Sequence, residues 1–341
     1  MSNPENNNKN SDELNTRFIY VGIKRRDNLL ESMFRDFYHH ESVIVIPSMF
    51  PFSADAIDIL GDASTRFFEK RWFQRIMYLF QRVFDPFRKI NICKEKTFIL
   101  FTNFSIRGVS IPYIRHLMKK NPNATLILLF LDQKDIYSAS YALKMVKAVP
   151  DFISYTFDPN DSKTLGFTYT MNVYSKPSIP SLHQDNDLYF SFFGPGRLER
   201  VAKIGKKIRD YGGKTQILYV GDYPQGFPDE LKSQVSLVKK RISYEQVVAD
   251  AASANCLLEY VRDTQSGVTI RYYEALCLNK KLLTNNKNVV NLSFYDERYI
   301  KVFSNIEDID PKWVCSHEKV DYHYDGRFSP LEFLKEVENN V

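Results

Sequence analysis

Residues 259–286 read EYVRDTQSGVTIRYYEALCLNKKLLTNN and contain most of one strand–loop–helix–strand repeat. The apolar run ANCLLE (residues 254–259) reads as a strand. A polar loop follows, and Ser266-Gly267 leads into a helix expected over residues 267–278, on which Ile270, Tyr273, Leu276 and Cys277 fall at apolar spacing. The next strand is expected at residues 281–284. Strands that are apolar throughout, with helices between them, indicate a parallel sheet covered on both faces.

The same rhythm extends in both directions. Strands are expected at residues 188–193 (LYFSFF) and 216–220 (QILYV), with a basic helix running to about residue 211 and a short one over 244–253. Earlier in the chain, strands are expected at 18–22 (FIYVG), 43–47 (VIVIP), 97–102 (TFILFT), 124–131 (ATLILLFL) and 152–157 (FISYTF). Helices are expected over 28–40, 64–83, 111–120 and 136–149. The polar, proline-containing segment 174–187 (YSKPSIPSLHQDND) interrupts the alternation and reads as a linker. The expected organisation is therefore α/β: a tail (1–15), a Rossmann-like half (16–175), a linker (176–186), a second Rossmann-like half (187–326) and a C-terminal helix (327–341). Sheets of this kind bind ligands beyond the carboxyl ends of their strands, and two such edges can face each other across a cleft.

Composition narrows the class. With 341 residues, 44% hydrophobic and 26% charged, each half can build a core. Residues 1–15 (MSNPENNNKNSDELN) have no aromatic or β-branched residue and are expected to be a disordered tail. They hold no apolar core of a secretory signal. No run approaches the roughly 18 apolar residues of a membrane span. Cys93, Cys256, Cys277 and Cys315 lie far apart without a CxxC pair, which suggests neither a disulfide framework nor a zinc knuckle and is simplest as reduced thiols in the cytoplasm. The net charge of +5 is too mild to indicate nucleic acid by itself.

The loop before the helix at 267–278 carries the chemistry. A strand–glycine–helix junction offers backbone N–H groups and a positive dipole end to an anion. Thr269 suits a helix cap, Arg271 a bidentate grip on a diphosphate, and Glu274 an acceptor for sugar or ribose hydroxyls. Together they match a sugar nucleotide; the plain alternative is a surface ion pair behind an ordinary turn. Phe193-Gly194-Pro195-Gly196-Arg197 follows the first strand of the second half, and its glycines would let the backbone approach a phosphate with Arg197 beside it. It is not GxGxxG and reads equally as a tight turn. In the first half, Lys24, Arg25, Asp27, Asn103, Arg107, Asp132 and Asp158 sit at expected strand ends, with Asp158 in the turn-forming sequence DPND.

The string SGVTIRYYEAL resembles the donor-site signature of GT-B glycosyltransferases, where a glycine turn leads into a helix bearing Glu-Ala-Leu. QSGVTIRYYEALCLNKKLLTNN followed by FYDERYI, together with DFISYTFDPNDSKTLGFTY and RFSPLEFL, resembles bacterial lipopolysaccharide and capsule biosynthesis transferases. The resemblance spans most of the chain after residue 15. It implies the GT-B fold and sugar transfer from a nucleotide-sugar donor, held mainly by the second half, to a carbohydrate or lipid-linked acceptor, with no cofactor and no metal. Gln265, Ser266, Gly267, Thr269, Arg271 and Glu274 would line the donor site, with Gly194, Gly196 and Arg197 beside them. Arg241, Ser243 and Tyr244 would occupy the loop that holds the base in related folds. Retaining members often carry a second glutamate eight positions before the one matched by Glu274, and here that position is Ser266. An inverting transfer needs a general base, for which Asp27 and Asp132 are the candidates. A silent sugar-nucleotide-binding scaffold is the competing reading. Nucleic-acid binding ranks last, for want of a recognised module.

Residues 64–90 (STRFFEKRWFQRIMYLFQRVFDPFRKI) place Phe68, Trp72, Ile76, Leu79, Phe80 and Val83 on one helical stripe, amid Arg66, Lys70, Arg71, Arg75, Arg82, Arg88 and Lys89. Such a helix either packs its stripe on the first sheet or docks on an anionic membrane at the inner face of the plasma membrane.

Overall fold

The computed structural model describes residues 14, 16–23, 27–49, 70–90, 92, 96–178 and 185–341. The expected tail apart from Leu14, and Lys24, Arg25, Arg66, Phe68, Cys93 and the centre of the linker, lie outside the described residues; Leu14 itself is buried in the core, so the expected tail does not extend over it.

The described residues form two six-stranded, wholly parallel sheets. The first holds β1 (Arg17–Val21), β2 (Val43–Ile46), β3 (Thr97–Thr102), β4 (Ala124–Phe130), β5 (Phe152–Thr156) and β6 (Thr168–Tyr169), in the order β2-β1-β3-β4-β5-β6. The second holds β7 (Asn186–Phe193), β8 (Thr215–Val220), β9 (Ser236–Val238), β10 (Ala254–Glu259), β11 (Lys281–Thr284) and β12 (Ile300–Val302), in the order β12-β11-β10-β7-β8-β9. Counted within its half, this is the Rossmann order, which reverses direction between β7 and β10. All six residues of β3 and of β10 are buried, as strands covered on both faces must be.

Among the described residues the α-helices are α1 (Leu29–Met33), α2 (Arg71–Val83), α3 (Ile111–Lys120), α4 (Tyr137–Ala148), α5 (Pro159–Leu165), α6 (Leu198–Asp210), α7 (Asp229–Lys232), α8 (Tyr244–Ala252), α9 (Ile270–Leu278), α10 (Pro311–Cys315) and α11 (Pro330–Asn340). The helix expected over 28–40 is interrupted. After α1 the chain tightens into a 3₁₀ turn over Arg35–His39. A turn of three residues eclipses Phe34 and Phe37, and both rings pack on Tyr20, at 4.6 and 5.2 Å. The strands and helices that periodicity missed, β6, β9, β12, α5, α7 and α10, are too short to show a period.

One apolar cluster joins the halves. It combines Phe18, Leu100 and Tyr155 of the first sheet with Tyr244, Tyr272 and Leu282 of the second and Phe333 of α11. Although last in sequence, α11 returns to the first half. Phe333 meets Tyr155 edge-on, and Thr16 and Thr170 donate to Glu338 and Glu336 at 2.6 and 2.9 Å.

Helix α2 does not pack its apolar stripe on the sheet. Its buried side chains are Gln74, Met77 and Gln81, whereas Trp72, Ile76, Leu79 and Val83 are 49–62% exposed. Both glutamines are bonded at the oxygen and the nitrogen of the side-chain amide. Gln74 accepts from Ile111 N–H (2.8 Å) and donates to Tyr141 Oη (2.9 Å). Gln81 accepts from both the N–H and the hydroxyl of Ser110 (3.1 and 2.8 Å) and donates to the Gly108 carbonyl (2.7 Å). These bonds tie α2 to the open start of α3, whose orphan N–H groups need acceptors.

Candidate functional site

The reversal of strand order between β7 and β10 leaves a crevice at the carboxyl ends of those strands, where such sheets bind ligands. Its walls are mostly apolar: Phe190, Phe192 and Phe193 at the end of β7, Val220 at the end of β8, Ile242, and Ile270 at the start of α9. Arg197, Arg241 and Arg271 enter this apolar wall. Asp27 and Leu29 of the first half close the other side.

Each arginine is positioned by main chain or by a carboxylate. Gly194 takes a left-handed φ of +88°, which turns the chain at the end of β7 and delivers Arg197 across the reversal point. There Arg197 Nη1 donates to the Tyr260 carbonyl at 2.7 Å, and its guanidinium stacks over Phe190 and Phe192. Burial, followed by repulsion from Arg262 and Arg271, lowers the Arg197 pKa to about 10. The site thus carries positive potential that an anion would relieve. Gly194 and Gly196 leave open space where a side chain would begin, and with Arg197, Arg200 and Arg262 they line an adjoining hollow. Arg241 pairs with Asp27 across the cleft at 3.3 Å and stacks on Phe193. The Tyr244 N–H donates to the Asp27 carbonyl at 2.7 Å, so the halves also touch through main chain here.

Arg271 and Glu274 are not the exposed pair that the sequence suggested. Glu274 is fully buried, Arg271 nearly so, and they form an ion pair with each other. Arg271 also donates to Ser191 Oγ at 2.7 Å and stacks on Tyr189. Burial works against its charge, but the Glu274 carboxylate more than reverses this and raises its pKa. The second Glu274 oxygen accepts from Tyr244 Oη at 2.5 Å, which leaves the Tyr174 hydroxyl to donate to Tyr244 Oη at 3.0 Å. The expected ribose contact of Glu274 is therefore closed in this structure: both oxygens are occupied and the residue does not line the crevice.

The loop 265–269 is a second correction. Its donors face protein carboxylates rather than an open phosphate site. Ser266 N–H and Gly267 N–H donate to Asp158 Oδ2 at 2.9 and 3.0 Å, and Ser266 Oγ to Asp158 Oδ1 at 2.7 Å. Thr269 donates to Glu259 Oε1 through N–H and hydroxyl, at 2.6 and 2.8 Å, while its own oxygen caps α9. Gln265 folds back on the Gly267 carbonyl. Gly267 is glycine because the first half presses on it: a Cβ there would lie 2.7 Å from the Phe157 carbonyl oxygen. Asp158 does cap a helix, α5, but Gln133 joins the loop in donating to it, which makes it a clasp between the halves. Burial acts to raise its pKa, yet the donors from Gly267 and Ser266 prevail and hold it below its ordinary value.

The other candidates separate. Asp27 lines the crevice, though already paired with Arg241. Asp132 does not line it and accepts from Ser138 Oγ. Asn103 is buried, bridging the Leu131 N–H and Ser138, and Arg107 is buried against Tyr137, so neither faces a ligand. Ser243 caps α8 through the Gln246 N–H, leaving Ile242 and Tyr244 at the cleft. Sequence reasoning missed Tyr260, Arg262 and Arg200. The available signal for Tyr260 and Arg262 was that the loop YVRDTQ directly follows a Rossmann strand; Arg200 lies on α6, in the basic helix that the sequence did mark.

No family model and no curated protein sequence matches the chain. Among solved structures, the chain is similar to an α,α-trehalose-phosphate synthase (UDP-forming) of Burkholderia xenovorans in complex with glucose-6-phosphate, at 8% identity and TM-score 0.51, over 95% of this chain and 99% of that one. It is similar to the corresponding synthase of Burkholderia vietnamiensis, at 8% identity and TM-score 0.50, over 96% and 100%. It is also similar to a protein described as a UDP-N-acetylglucosamine 2-epimerase of Listeria monocytogenes, at 7% identity and TM-score 0.50, over 95% and 96%. These likenesses show the fold: the chain has the GT-B architecture, two parallel α/β sheets with their ligand edges meeting at a cleft. Synthase and epimerase share it, so architecture alone does not choose the reaction.

Proposed function

We propose that the protein is a glycosyltransferase that moves a sugar from a nucleotide-sugar donor, of the UDP type, to a glycan or lipid-linked acceptor in bacterial surface polysaccharide (lipopolysaccharide or capsule) biosynthesis. It would work in the cytoplasm at the inner face of the plasma membrane. The observation that carries this reading is the convergence of Arg197, Arg241 and Arg271 on an aromatic and aliphatic crevice at the strand-order reversal. An apolar wall accepts a nucleobase, and arginines accept a diphosphate. In transfer, the guanidiniums would stabilise the charge growing on the departing diphosphate. Asp27, across the cleft, would accept the acceptor hydroxyl proton once Arg241 turns to the donor. The donor-loop residues would act at one remove, holding α9 so that Arg271 points into the crevice.

The silent-scaffold reading keeps one supporting observation: Asp158 and Glu259 already occupy the loop donors that a diphosphate would otherwise use. A thermal-shift screen over UDP-, GDP-, CMP- and dTDP-sugars tests binding, because a bound donor raises Tm by mass action. A shift with a UDP-sugar followed by turnover on glycan acceptors supports the enzyme. A shift without turnover supports the scaffold, and no shift with any donor overturns both.

A further inference from the structure

Helix α2 presents to solvent the side chains that a surface helix normally hides. At 100° per residue, Trp72, Ile76, Leu79 and Val83 fall on one narrow stripe, and all four are exposed. Arg71, Arg75 and Arg82 form a file along one flank of it, exposed as well. The opposite face is held inward by Gln74 and Gln81, whose bonds to Ile111, Tyr141, Gly108 and Ser110 fix the rotation of the helix. Turning the stripe inward would leave those buried groups without partners.

A second observation lies where α2 ends. Phe84, 65% exposed, leads into a hollow whose charged lining is Arg88 and Lys89 from the following turn, Lys120 from α3 beside His116, and one carboxylate, Asp85, which accepts from the Tyr113 hydroxyl. The surface thus combines an apolar ridge, a cationic flank and a basic hollow. A second copy of this chain would meet the ridge but bring a like-charged arginine file against its own. A bilayer with anionic headgroups supplies both an apolar layer for the ridge and phosphates for the cations.

We propose that α2 and the hollow behind it form a docking surface for an anionic lipid bilayer, with Trp72, Ile76, Leu79 and Val83 entering the acyl boundary and Arg71, Arg75 and Arg82 facing headgroup phosphates. This does not rest on the donor site, and it is read without any sugar nucleotide.

The test is co-sedimentation of the full chain, at low salt, with vesicles of phosphatidylcholine alone and of phosphatidylcholine mixed with phosphatidylglycerol. Binding to the mixed vesicles only is expected, and salt should weaken it. Changing Arg71, Arg75 and Arg82 together to Glu should weaken it by roughly a hundredfold. Leu79→Ser with Val83→Ser should also release the protein, while Tm stays at the wild-type value in both variants. No binding to anionic vesicles overturns the proposal, as does equal binding to neutral ones or binding that both variants leave intact. Concentration-dependent dimerisation abolished by Leu79→Ser, without vesicle binding, overturns it in favour of a second copy.

Discussion

Helices α9 and α2 depart from the usual division of charge outside and apolar groups inside, in opposite directions. In α9 the two charged residues, Arg271 and Glu274, are buried. In α2 the inward face is two glutamines and a methionine, and Trp72, Ile76, Leu79 and Val83 face out. What sets the rotation of each helix is where its polar groups find partners. Glu274 finds Arg271 and Tyr244; Gln81 finds the start of α3. A buried polar group without a partner costs more than an exposed apolar one, so the hydrogen-bonding face wins. The inversion of α9 aims a cation into the crevice, and that of α2 leaves an apolar ridge at the surface.

The largest effect should come from breaking the α9 pair. Glu274→Leu leaves Arg271 buried without its counter-ion and should cost about 3–5 kcal/mol in chemical denaturation. Arg271→Ala should cost a similar amount, so loss of donor binding in that variant alone does not separate grip from fold. A double variant, Arg271→Met with Glu274→Leu, should recover most of the stability because no lone charge remains. It should still show no Tm shift with a donor. Recovery of both would mean that Arg271 is purely structural.

The Asp158 clasp comes next. Asp158→Ala strands the Ser266 and Gly267 N–H groups and should cost about 2–3 kcal/mol, read by the same denaturation. The folded-state pKa of Asp158 lies below its unfolded value, so its contribution is complete above the ordinary carboxylate range. That contribution is lost as pH falls through the folded pKa. Wild type and Asp158→Ala should therefore differ in Tm at neutral pH and converge in strong acid; a constant difference across that range would refute the clasp.

On α2 the two faces should respond unequally. Gln81→Leu removes an acceptor for Ser110 and should cost about 1–2 kcal/mol of stability. The smallest effect is expected from Leu79→Ser, which should change stability by less than about 0.5 kcal/mol because the side chain is already exposed. If Leu79→Ser destabilises more than Gln81→Leu, the assignment of faces on α2 is reversed.

The sequence by itself determined the alternation of strand and helix. A strand covered on both faces has to be apolar throughout, and TFILFT and ANCLLE lie at the bounds expected for them. It also pointed to the loop at 265–269 and to Arg197, Arg241 and Arg271, because short-range signals mark where a strand ends and a helix begins. The tertiary structure decided what those groups touch. The partner of Gly267 N–H is a carboxylate 109 positions earlier, and that of Arg241 lies 214 positions earlier. No local pattern encodes such separations. Periodicity located the stripe on α2 but not its direction, since a stripe of given width looks the same whether it faces a sheet or water. Long-range hydrogen bonds to Gln74 and Gln81 set that direction, and they exist only once α3 and α4 are in place beside the helix.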